Sequence, residues 1–176
     1  MGKSRYIAKI GILLALASAI QFLESMIPIP LPLGVKPGIS SVVIMYILMF
    51  MGFRPALVTA VLKSGFVFAV RGFSAFCMSV SGGVLSVLMM GLCLLIFRRT
   101  SKDMGILAVS VTGGVFHNIG QLAAASVIAG SIYTISYLPV LVIAGIISGI
   151  FTGTIMRILL PHLERKNVYK SSSERS

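Results

Sequence analysis

Six apolar runs, parted by short breaks that gather nearly all of the charge, limit what this chain can become: 10–27, 38–53, 56–70, 75–97, 105–130 and 133–160. A bilayer offers no water to backbone polar groups, so runs of this kind must close their hydrogen bonds internally as helices. With 57% hydrophobic residues, 11% charged residues and a mean hydropathy of +1.02, too little polar surface remains to clothe a soluble domain. The expectation is an all-α polytopic membrane protein, with six transmembrane helices in one bundle over 1–160 and a mobile basic cytoplasmic tail over 161–176. Runs two and three hold only about fifteen residues each, so they must tilt or be matched by local thinning.

The charges report topology. With six spans, Lys3, Arg5, Lys9, Arg54, Arg98, Arg99, Lys102, Arg157, Arg165, Lys166, Lys170 and Arg175 fall on one side, and only Lys36 and Arg71 on the other. Twelve against two places both termini in the cytoplasm, with the protein in the cell membrane. The net charge of +11 follows this pattern rather than an aromatic-studded recognition surface, so nucleic acid is not an expected partner. Ala17-Ser18-Ala19 fits a signal-peptidase pattern, but apolarity continues to Ile27, which favours an intact first span.

Within the first run Gly11, Ala15 and Ala19 recur every fourth residue, a smooth stripe that lets another helix approach closely. Gln21 and Glu24 point roughly 120 to 180° away from it. Pro28, Pro30, Pro32 and Pro37 then forbid helix and predict a stiff, extended apolar lid that carries Lys36. In the fifth run, His117, Asn118 and Gln121 share a helical face beside Gly113, Gly114 and Gly120, which are expected to leave open space there. Lys63 falls at mid-membrane, while Glu24, Lys36 and Arg71 fall at outer ends.

Charge at membrane depth is costly and marks function by default. Interhelical hydrogen bonding alone is worth about 0.6 kcal/mol per bond, a weak reason to keep so many polar groups together. The expected substrate-binding residues are therefore Glu24, Lys36, Lys63, Arg71, His117, Asn118 and Gln121. The competing reading pairs Lys63 with Glu24 and spends the polar cluster on helix association. Three cations against one carboxylate favour a small anionic ligand.

Catalysis and energy coupling find no support. Residues 57–62, ahead of Lys63-Ser64, lack the glycines of a phosphate-binding loop, and the sole aspartate, Asp103, gives no hydrolytic triad with His117 or His162. No metal-ligand spacing occurs and no cofactor is expected. Cys77 and Cys93 lie about 24 Å apart along one helix, too far for a disulfide.

Ala15-x-x-x-Ala19, Glu24-Ser-Met-Ile-Pro-Ile-Pro, Val35-Lys36-Pro37-Gly38, Ser81-Gly82-Gly83 and Phe116-His117-Asn118-Ile119-Gly120-Gln121 together resemble the family labelled heptaprenyl diphosphate synthase component I, also called the Gx transporter family. That family resembles the substrate-binding (S) components of energy-coupling factor (ECF) transporters. The resemblance implies a six-helix fold and a pocket under the first loop. It also implies an Ala15/Ala19 surface that docks an ECF-type transmembrane coupling protein driven by ATPase subunits. The chain departs from the pattern at Ser41, where Asn is expected, and at Lys63, where Arg is expected. The implied role is uptake of a small anionic or amphipathic compound related to isoprenoids or quinones. The alternative is a noncatalytic membrane subunit of a heptaprenyl diphosphate synthase, since Asp-rich magnesium-binding motifs are absent.

Overall fold

A computed structural model describes residues 3–26, 38–96 and 102–173. The chain is an all-helical membrane protein: α1 (Lys3–Met26), α2 (Ser40–Phe50), α3 (Phe53–Arg71), α4 (Phe73–Ile96), α5 (Lys102–Ala129) and α6 (Leu138–Ser173), with a 3-10 segment Ile132–Tyr137 before α6. Lys36, the proline-rich segment and Arg98-Arg99 lie outside the described residues.

Among the described residues, five helices are long and apolar enough to cross a membrane; α2 is not. Its 11 residues rise about 16 Å, roughly half of a 30 Å hydrocarbon core. The six apolar runs of the sequence thus become five helices of spanning length and one shorter apolar helix. The short helix is nonetheless central, with seven of its residues buried, Met45 and Ile47 completely. Hydrogen bonds at its start tie it to the C-terminal part of α1 and to the middle of α3. From there α2 runs back to Gly52, and α3 begins at once. The third helix is longer than expected, 19 residues, because Phe53, Arg54 and Pro55 form its first turn. Proline is tolerated there, where its missing N–H has no helical partner to lose.

Gly52 (φ 99°) and Gly72 (φ 83°) make the reversals on either side of α3. Both adopt positive-φ conformations that a Cβ would strain, which lets α3 turn into α4 through a single residue. At the other end of the chain, α6 continues through Pro161 to Ser173, past the expected end at Leu160.

Glycine and serine fix the packing around α5. A Cβ on Gly120 would stand 2.7 Å from the Ser81 carbonyl oxygen, and one on Gly82 would stand 2.7 Å from that of His117. On the other side, Gly145 and Gly149 of α6 press against the backbone at Val115 and Val111. Serine hydroxyls cross these seams: Ser81 donates to Gly120 O (2.8 Å), Ser86 to Gly113 O (2.9 Å) and Ser110 to Gly149 O (2.7 Å). Lipid supplies no hydrophobic drive between helices, so close backbone contact and such bonds carry the association. The expectation of open space at Gly120 and Gly114 is thus corrected, because the backbones of α4 and α6 respectively occupy it.

Helix α1 is the loosest member of the bundle. Ala17, Ser18 and Glu24 face inward and are buried, whereas Gly11, Ala15 and Ala19 lie on exposed positions. A Cβ on Gly11 would meet nothing within 4 Å. The small-residue stripe therefore does not serve packing within this bundle.

Candidate functional site

All six helices line a cavity of about 110 Å³. It takes Gln21 and Glu24 from α1, Ser40 and Ser41 from α2, and Lys63, Val67 and Arg71 from α3. Met78, Ser79, Gly83, Ser86 and Met90 of α4 form one wall, and Gly113, Gly114, His117, Asn118 and Gln121 of α5 form another. Six of the seven expected site residues thus come together around one space, and the seventh, Lys36, lies outside the described residues. Polar side chains from all six helices face this space, and α2 contributes its first turn, Ser40, Ser41 and Ile44.

Lys63 sits in the wall at 6% exposure. Its ammonium donates to Ser40 Oγ at a long 3.3 Å, and among the described residues no carboxylate lies within ion-pairing distance. The Glu24 carboxylate, 3% exposed, instead accepts from the backbone N–H of Ile39 at the start of α2. A carboxylate is well placed there, at the positive end of a helix dipole. The Lys63–Glu24 pair weighed as the structural alternative is therefore not formed.

Behind that N–H, Ser41 donates to the Gly38 carbonyl, and Thr152 of α6 reaches the same carbonyl at 3.4 Å. The start of α2 is thus pinned from α1, α3 and α6. Arg71 also lines the cavity, from an exposed position at the end of α3.

The polar face of α5 divides its labour. Asn118 is buried and spends its amide N–H on the Leu141 carbonyl of α6 at 2.9 Å, which makes it helix glue as well as wall. Gln121 donates its amide to Nε2 of His117 at 3.1 Å. An amide nitrogen can only donate, so Nε2 is the acceptor and Nδ1 carries the proton. The Gln121 contact thereby fixes the tautomer of the imidazole in the cavity wall.

Sequence reasoning missed several contributors. Gln21 was seen as polar but not as site-lining, yet its Oε1 is buried with no hydrogen-bond partner among the described residues. Ser40, Ser79 and Ser86 were missed because a serine in an apolar run reads as any small residue. No cluster of three His, Cys, Asp or Glu side chains occurs among the described residues, and Cys77 and Cys93 are free thiols.

The sequence model of a family described as heptaprenyl diphosphate synthase component I matches residues 13–159. No curated protein and no solved structure matches the chain.

Proposed function

The chain belongs to the heptaprenyl diphosphate synthase component I family, and from that premise we propose that it is the membrane-embedded substrate-binding component of an ECF-like transporter. Its cargo is a small anionic or amphipathic compound. The observation that carries this reading is the buried Lys63 ammonium, which faces a cavity with, among the described residues, one long hydrogen bond to a neutral hydroxyl. An ammonium at membrane depth costs about 2.5–3.5 kcal/mol on insertion scales, and one long bond to serine recovers only part of that. An anionic ligand would supply the missing partner.

The exposed Gly11, Ala15 and Ala19 face supports a docking role towards an ECF-type coupling protein and its ATPase subunits, because a flat surface in lipid invites a second helix. Short α2 returns the chain to the end where α3 starts, so six segments alternate in direction. Together with the twelve-to-two distribution of cations, this supports both termini in the cytoplasm and a place in the cell membrane.

The family description favours a second reading, a noncatalytic membrane subunit of a prenyl diphosphate synthase. One aspartate, Asp103, supplies no Asp-rich magnesium site for chain elongation, so catalysis in that reading would belong to a partner. Affinity purification from native membranes under mild detergent separates the two. A co-purifying integral membrane protein with two ATPases supports the transporter; a soluble Asp-rich synthase in stoichiometric amount overturns it.

A further inference from the structure

We propose that the cavity takes a small monocarboxylate that also bears an O–H or N–H group, its charge on Lys63 and its donor on Gln21. This rests on the ligand-binding reading above and extends it to the charge, size and polarity of the ligand. The charge follows from the walls: Lys63 and Arg71 against Glu24 leave one net positive charge among the described residues. A monoanion brings these described walls to neutrality. A diphosphate would leave surplus negative charge, facing the Glu24 carboxylate, in an enclosure of apolar helices where uncompensated charge is costly.

The donor follows from Gln21. Its Oε1 is buried and without a partner among the described residues, an acceptor that a ligand hydroxyl or amide N–H would satisfy. Gln21 stands on α1 and Lys63 on α3, so the donor and the charge are bound by different helices. Such a division orients the ligand. Size sets the remaining limit. At roughly 10–15 Å³ for each water-sized position, about 110 Å³ admits on the order of ten non-hydrogen atoms. Val67, Met78 and Met90 offer apolar surface to a short carbon skeleton.

The test is a ligand-observed NMR screen on the full chain in lipid nanodiscs. The probes are lactate and 3-hydroxybutyrate, the matched propionate and butyrate, the neutral lactamide, inorganic phosphate and pyrophosphate. The hydroxy acids should bind tightest. Lys63→Met should weaken every carboxylate by a hundredfold or more, while Gln21→Leu should cost the hydroxy acids roughly tenfold and leave propionate and butyrate unchanged. Lys63→Gln serves as a second variant if circular dichroism shows Lys63→Met misfolded. Tightest binding of pyrophosphate, phosphate or lactamide overturns the proposed class. Equal losses for hydroxy and plain acids in Gln21→Leu overturn the role of Gln21. If no probe binds in a Lys63-dependent way, the binding-site reading itself fails.

Discussion

Replacing Gly120 by alanine tests whether the backbone contact between α4 and α5 holds the cavity wall in place. The added Cβ would stand 2.7 Å from the Ser81 carbonyl oxygen and 2.8 Å from the Gly82 Cα, against normal contacts of about 3.5 Å. Both obstacles are backbone, so no side chain can swing aside and the helices must part by a large fraction of an ångström. Overpacking of this kind costs about 1–3 kcal/mol. The same displacement stretches the 2.8 Å bond from Ser81 to the Gly120 carbonyl, which adds about 1 kcal/mol. A total of about 2–4 kcal/mol corresponds to a fall in Tm of roughly 5–15 °C for a chain of this length. Gly65→Ala is the matched control, because its Cβ would meet nothing within 4 Å. It should change stability by less than about 1 kcal/mol, in the stabilising direction given by helix propensity. Thermal unfolding of both variants in one detergent reads the difference directly. Equal Tm values for Gly120→Ala and Gly65→Ala would refute the reasoning.

Three further outcomes follow from the same geometry. Lys63→Met removes a buried charge with no ion-pair partner, so ligand-free stability should stay within about 1 kcal/mol of wild type or rise; a fall above about 2 kcal/mol in thermal unfolding would show a structural ion pair. Ala15→Leu and Ala19→Leu, at exposed positions, should leave Tm within about 0.5 kcal/mol equivalent while abolishing partner association; a complex that survives both on size-exclusion chromatography refutes the docking face. Glu24→Ala strands the Ile39 N–H and should cost about 1–3 kcal/mol, with faster hydrogen exchange at Ile39, whereas Glu24→Gln keeps an acceptor and most of the stability; unchanged exchange in Glu24→Ala refutes the anchoring role.

Hydropathy was enough to place the helices, because a bilayer leaves helices as the structure open to apolar runs. It was not enough to measure them: Phe53-Arg54-Pro55 reads as a break but forms the first turn of α3, and the stop after Phe50 leaves α2 at half length. The convergence of Glu24, Lys63, Arg71, His117 and Gln121 was legible from depth and helical face, two properties that sequence encodes directly. Hydrogen-bond partners were not legible. Glu24 turns to the Ile39 N–H and Asn118 to the Leu141 carbonyl, choices set by how neighbouring backbones approach rather than by spacing along the chain. Glycine misled for a related reason. Gly120 leaves a gap in its own helix, yet Ser81 and Gly82 of the next helix fill it. Gln21 escaped notice as a site residue because only the folded chain shows that its oxygen lacks a partner.

The central claim is that Lys63 holds an anionic small molecule inside the bundle. Mass spectrometry of the small molecules released from protein purified out of its own membranes, wild type beside Lys63→Met, tests it most directly. The account predicts one anion retained in near-stoichiometric amount by the wild type and absent from the variant. Identical profiles from the two proteins, or nothing beyond bulk lipid in either, would contradict it.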